Sequence, residues 1–307
     1  MFDKVFENSF NIFELKEKPT EEDLKNYYKN KYFQENNGSY TIQYADDEVI
    51  YINNMINRRY GVIDNIIDKK ETGMRFLDVG CGEGWALSFF KRKKWEVLGL
   101  DFSDYGCKSH NQNCLSNLRV GNIYETLTSL VIEKEKFDVI WLDNVLEHVI
   151  EPLSLLHVCK SLIKSQGVLV IEVPNDFSPL QQYLYNEGII AKPFWVKIPD
   201  HIYYFNREGL DTICRSAGWE TKFVMSDYPI ELNLFNPNTN YINEPTRGKS
   251  CHQARIDIEN FLASISEAKL INLYKLLAEM GLGRTIVTFL QVVNPSAKGK
   301  PNDINKD

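Results

Sequence analysis

Apolar residues along this chain come in short runs separated by stretches with helical spacing, an alternation that predicts strands and helices in turn. The runs at 74–79, 95–101, 118–122, 137–142, 166–173, 219–225 and 284–293 read as seven strands. Helical patterning falls between them at 85–93, 103–114, 152–164 and 207–217, the last stopped by Gly218. Strands alternating with helices bury both faces of a mostly parallel sheet, so the class is α/β, doubly wound.

Two further segments flank this core. The first seventy residues are rich in aromatics and amides, with helical patterning at 20–33 and 46–68, the first opened by Thr20-Glu-Glu-Asp. They predict an N-terminal helical cap, 1–72, whose Tyr27, Tyr28, Tyr32, Phe33 and Tyr44 either close a pocket or pack inside. Between the sixth and seventh strands lies a helical insertion, 229–282, made of a Pro/Asn-rich stretch (229–245) and two helical patterns (252–266 and 270–280). Substrate lid, dimer surface and extra packing are all open readings for it. The main domain then runs 73–294, and the polar tail 295–307 reads as flexible.

Bulk properties narrow the partners. A net charge of −7 without a dense basic stripe sets aside nucleic acid and anionic membranes, and no long apolar run predicts a membrane span. The six cysteines, at 81, 107, 114, 159, 214 and 251, lack metal-binding spacing, and no signal peptide is evident. A reduced, cytoplasmic protein acting on a small molecule is the expectation, with a homodimer left open.

The chemistry concentrates in Phe76-Leu-Asp-Val-Gly-Cys-Gly-Glu-Gly84, an apolar strand running into alternating glycines. Such a turn lets backbone approach a small ligand closely. A strand ending in Asp101 follows about twenty residues beyond the first glycine, the separation of an acid that accepts hydrogen bonds from ribose hydroxyls. Position 85 is Trp where a dinucleotide fingerprint has its third glycine, and Asp78 and Glu83 would repel a pyrophosphate. A cationic ligand suits the turn better.

The run Leu77-Asp-Val-Gly-Cys-Gly-Glu-Gly84 resembles the first motif of class I S-adenosylmethionine (SAM)-dependent methyltransferases, whose cofactor carries a sulfonium cation. The likeness extends through Asp101, the block Phe137-Asp-Val-Ile-Trp-Leu-Asp-Asn-Val-Leu-Glu-His-Val149 and Gly167-Val-Leu-Val-Ile-Glu-Val-Pro174. It implies a seventh strand running antiparallel between the fifth and sixth. By the same resemblance Gly80, Gly82 and Gly84 lie beside the methionine part of SAM, Asp78 near its ammonium, and Asp101 with Phe102 at the ribose. Asn122 and Ile123 fall at the adenine, where Asn122 offers an amide oxygen. Asp143 and Asn144, at the carboxyl end of the fourth strand, face the sulfonium and acceptor.

Methyl transfer from a sulfonium asks the protein for alignment and a place for the acceptor's proton. His148 and His201 are the two candidate bases, each with a bracing role as its alternative. Glu147, Trp195, Tyr203 and Tyr204 are candidate acceptor contacts, the aromatics suiting either sugar faces or core packing. The segment Asn144-Val-Leu-Glu147-His148 resembles the metal-binding Glu-x-x-Glu-His of ubiquinone-pathway O-methyltransferases, but Asn144 replaces a carboxylate that a hard cation prefers, so no metal is expected. The cap, the Glu147-His148 block, the Asp200-His201 loop and the insertion look like methyltransferases of bacterial capsule and lipopolysaccharide sugar pathways. That resemblance implies O-methylation of a sugar or sugar-linked hydroxyl.

Overall fold

Period-two burial along the central strands is what organises this molecule. In the computed structural model, which describes residues 2–20, 23–24, 43–67 and 72–293, β3 (Arg75–Val79) sends Leu77 and Val79 to one side of the sheet and Phe76 to the other. β6 (Phe137–Asp143) and β7 (Ile163–Pro174) divide in the same way, Ile140, Leu142, Leu169 and Ile171 opposing Val139, Trp141, Val168 and Val170. Each face thus carries its own apolar cluster, which is the signature of a sheet covered on both sides.

With β4 (Glu96–Asp101), β5 (Leu118–Val120), β9 (Trp219–Ser226) and β10 (Thr285–Val292), the sheet has the order β5-β4-β3-β6-β7-β10-β9. β3 to β7 pair in parallel, while β10 lies antiparallel between β7 and β9. The seven-stranded arrangement with its reversed last strand is the class I methyltransferase topology. The order reverses at β3, with β4 on one side and β6 on the other, and it is beside such a switch point that open α/β sheets bind ligands.

The amino-terminal segment differs in part from the helical cap expected. Its helix α1 (Asp46–Ile66) is present, but the chain starts with β1 (Val5–Glu7) and β2 (Phe13–Leu15), which form a small antiparallel sheet with β8 (Tyr203–Tyr204). Three-residue strands are too short to show periodicity, and their pairing partner lies far along the chain. The helix expected at 20–33 lies largely outside the described residues, as do Tyr27, Tyr28, Tyr32, Phe33 and the tail from 294. At its start Thr20 and Asp23 exchange the hydrogen bonds of a capping box, Thr20 N to Asp23 Oδ2 at 3.0 Å and Asp23 N to Thr20 Oγ1 at 3.2 Å.

The insertion supplies α8 (Gly248–Ile265) and α9 (Glu267–Glu279), which pack on α1 and β9. Buried Arg58 of α1 joins the three helices, reaching Glu259 at 3.2 Å and Glu267 at 3.3 Å, while the Tyr274 hydroxyl donates to Glu259 at 2.9 Å. Two helices escaped the sequence pattern: α4 (Ile123–Ile132), capped by Asn122, and α6 (Pro179–Asn186), capped by Ser178.

Candidate active site

The glycine turn is bent by its own backbone. Gly80 and Gly84 sit at φ +74° and +76°, where any other residue would be strained. A Cβ on Gly80 would lie 2.7 Å from Val145, so the turn also packs too tightly for a side chain there. The Leu100 carbonyl accepts from Gly80 N at 2.8 Å and Cys81 N at 3.0 Å, and the Asp101 carboxylate accepts from Gly82 N at 2.8 Å and Ser103 N at 2.9 Å. Main-chain donors thereby lock the turn to the end of β4.

The turn forms one wall of a cavity of about 560 Å³. Asp78, Gly80, Gly82, Asp101, Phe102, Asn122, Ile123, Asp143, Asn144 and His148 all line it, whereas Gly84 lies behind as the N-cap of α2 (Trp85–Arg92). At the rim the Tyr44 hydroxyl donates to Glu83 at 2.9 Å, as does the Trp85 indole N–H at 2.6 Å. Asn122 borders the cavity, but its amide oxygen caps α4, accepting from Tyr124 N at 2.9 Å. No residue of the insertion lines the cavity among the described residues, and its helices pack on α1 and β9.

Charge in the cavity is lopsided. Burial, then the nearby Asp143 and Asp101, pushes the Asp78 carboxyl well above the usual range, and no ion pair of the described residues includes it. Asp101 is also raised by burial, although its backbone donors oppose the shift. Asp143 has a partner that the sequence did not disclose. Arg59 of α1 donates to it at 2.8 Å, pairs with Glu172 of β7 and stacks over Trp141 at 5.4 Å. Burial works against ionisation of Asp143, but Arg59 together with hydrogen bonds from Glu172 and Trp141 holds that carboxyl below the ordinary range; burial lifts Glu172 to about 8. Asn144 turns back to donate to Asp143 at 2.8 Å from a backbone at φ +52°.

The two histidines come together instead of standing as separate candidates. The Glu147 carbonyl accepts from Ile202 N at 2.9 Å and Tyr203 N at 3.1 Å, which docks the 200–204 segment behind the end of β6. His148 and His201 then meet edge to face, ring centroids 4.9 Å apart. His148 Nδ1 lies 2.7 Å from the Asp200 carbonyl, so Nδ1 carries the hydrogen and Nε2 is the basic nitrogen. Burial, followed by repulsion from His201, drops the His148 imidazolium to about 4, leaving the ring neutral at physiological pH. Buried Glu147 and His201 do not line the cavity.

The aromatic acceptor contacts require correction. Trp195 and Tyr204 are fully enclosed in a cluster with Phe177 and Leu184, and Tyr203 is 5% exposed with its hydroxyl donating to the Ile150 carbonyl at 3.0 Å. None lines the cavity. Pairing with the amino-terminal hairpin buries them, and nothing near in sequence signals that hairpin. At 144–148 the Asn144 amide is occupied by Asp143.

A family model described as methyltransferase domain matches residues 55–222, more than half of the chain. The ubiquinone biosynthesis O-methyltransferase of Haemophilus ducreyi is 32% identical over 120 residues, 36% of this chain and 51% of that protein. The protein of the same name from Actinobacillus pleuropneumoniae serotype 5b is 36% identical over 109 residues, 34% of this chain and 47% of that one. The chain thus spans about half the length of the curated relatives it matches. Among solved structures, a SAM-dependent methyltransferase from Archaeoglobus fulgidus is 20% identical with a TM-score of 0.47, over 77% of this chain and 92% of that one.

Proposed function

This chain belongs to the methyltransferase domain family, and from that premise we propose that it moves a methyl group from SAM to a hydroxyl of a small acceptor. The observation that carries the proposal is the pairing of the glycine turn with buried, cation-poor Asp78 on one cavity wall. A cationic ligand relieves the cost of ionising Asp78, whereas a phosphate would add to it. In this reading Gly80 and Gly82 bring backbone against the methionine part, Asp78 receives the ammonium, Asp101 accepts from the ribose, and Phe102 and Ile123 border the adenine.

SAM supplies an electrophilic methyl on a sulfonium, so the protein contributes placement more than bond polarisation. Arg59 and Asp143 keep their charges on each other, which leaves that part of the wall near neutral beside the reacting centre. His148 is the imidazole on the cavity wall, neutral and basic at Nε2, and it faces the acceptor hydroxyl. Transfer to oxygen is also what the similar ubiquinone biosynthesis O-methyltransferases are named for. Burial of Trp195, Tyr203 and Tyr204 withdraws the stacking surface that favoured a sugar, so the acceptor class is a small-molecule hydroxyl, phenolic and sugar acceptors being separate arms of the test.

The test is calorimetric titration with SAM followed by transfer of labelled methyl to a panel of phenols, sugars and sugar phosphates. Micromolar SAM binding with label appearing on oxygen is expected. Absence of any SAM binding would overturn the proposal, and label appearing on nitrogen or carboxylate would overturn its hydroxyl part.

A further inference from the structure

At the Arg59 wall two carboxyl groups share one cation. β6 and β7 pair with Asp143 opposite Glu172, and the period-two pattern that turns Trp141 and Val170 towards α1 continues one step further to these two acids. Arg59 comes from α1 onto both of them, and its place over the Trp141 ring keeps it there. Glu172 is 6% exposed, so little water separates the two acids.

Two acids packed side by side away from water do not both ionise, so the pair holds one proton. The surroundings decide which group carries it. Asp143 is the carboxylate, since it accepts from Arg59 at 2.8 Å, from the Asn144 amide at 2.8 Å and from the Trp141 indole N–H at 3.4 Å. Glu172 is the neutral acid that donates to it. Besides Arg59, Glu172 faces Asp143 of β6, Glu147 beyond β6, Tyr51 of α1, and Asp227 beyond β9, which is itself paired with Arg255 at 2.6 Å. None of those four supplies a positive charge. Guanidinium, carboxylate and neutral acid leave this part of the empty wall without net charge.

We propose that Glu172 is a positioning residue that releases its proton to solvent when SAM binds, so that the sulfonium takes over the proton's place in balancing the second carboxylate. The inference rests on the SAM reading above. Glu172 lies outside the cavity lining and acts through Asp143, which lines it. A cation settling beside Asp143 favours the ionised form of both acids, and the O–H bond of Glu172 is the only one that breaks. S-adenosylhomocysteine (SAH), the product of transfer, keeps the ammonium and carboxylate of SAM but has a neutral thioether in place of the sulfonium. With SAH bound, Glu172 therefore keeps its proton, because an ionised second acid would stand buried without compensation. The pair thus tells fresh donor from spent product by charge alone.

Calorimetry of the full chain in buffers of unlike ionisation enthalpy counts the protons released on binding each ligand. A group that ionises more readily in the complex makes binding tighten as pH rises towards its value in the empty fold, about 8 for Glu172. SAM should therefore release about half a proton or more beyond any released by SAH near pH 7, and the SAM-to-SAH affinity ratio should rise about fivefold from pH 6.5 to 7.5. Groups that meet the ammonium, Asp78 among them, act alike on both ligands and cancel in that comparison. Glu172→Gln keeps an N–H donor towards Asp143 but has no proton to give, so both the excess release and the pH dependence of the ratio should vanish. Infrared spectra of the unaltered chain supply a check that needs no variant: the carbonyl band of protonated carboxyl should weaken more with SAM than with SAH. Equal proton release by the two ligands, or an undiminished difference in folded Glu172→Gln, overturns the role of Glu172 and leaves the methyl-transfer reading standing. Failure of both ligands to bind overturns the two together.

Discussion

The two walls of the cavity are held by different forces. The glycine-turn wall comes from one continuous stretch, residues 78–101, and is fastened by main-chain donors to the Leu100 carbonyl and Asp101 carboxylate. The opposite wall draws on α1 and the end of β6, braced from behind by Glu172 of β7 and the 200–204 segment, and side-chain contacts hold it: Arg59 on Asp143 and Glu172, His148 on the Asp200 carbonyl. A wall made of local backbone tolerates the loss of a ligand-binding side chain more easily than one in which buried charges also join remote segments.

The largest expected effect falls on the wall held by Arg59. Arg59→Ala leaves buried Glu172 and half-buried Asp143 without their cation and should lower unfolding stability by about 3 kcal/mol in denaturant titration. A stability within 1 kcal/mol of the unaltered chain, roughly the worth of an ordinary exposed pair, would mean that this ion pair does not hold the wall.

Asp101→Ala tests the opposite wall and should weaken SAM binding about 100-fold, close to 2.7 kcal/mol, by calorimetry. Its melting temperature should fall less than that of Arg59→Ala. Unchanged affinity would remove Asp101 from the cofactor site, and a larger melting loss than Arg59→Ala would reverse the contrast between the walls.

The smallest and most discriminating effect concerns Asp78. Its carboxyl is raised in the empty fold by burial and neighbouring acids, so the unfolded chain loses that proton first. The native state therefore pays an increasing ionisation cost as pH rises from the ordinary carboxylate range towards the raised native value. Asp78→Asn removes that cost, so the variant should melt above the unaltered empty protein by a margin that widens with pH, while SAM binding falls about tenfold. A margin that is flat or narrows with pH would show that Asp78 is not the strained group, and SAM affinity unaffected by the change would take the ammonium elsewhere.

Legibility followed the same division. The strands of the central sheet, the glycine turn and Asp101 could be read because apolar periodicity and a motif of a few consecutive residues express them locally. Gly80, Gly82, Asp78 and Asp101 do line one cavity. Arg59 carried no such signal: it sits beside Arg58 on one helix, yet Arg58 reaches the insertion and Arg59 reaches the cavity. Trp195, Tyr203 and Tyr204 looked like ligand contacts because exposed and buried aromatics are spelled alike.

By itself, then, the sequence determined the α/β sheet and the segment that bends around a ligand, since hydrogen-bond geometry and side-chain period act over neighbouring residues, while the reversal of the last strand was implied only by the family resemblance. Only the tertiary structure decided that Arg59 neutralises Asp143, that a short hairpin buries the 195–204 aromatics, and that His201 arrives beside Glu147 and His148. Those outcomes depend on which remote segments meet, and long-range packing and buried charge select that from many arrangements that local pattern leaves equally open.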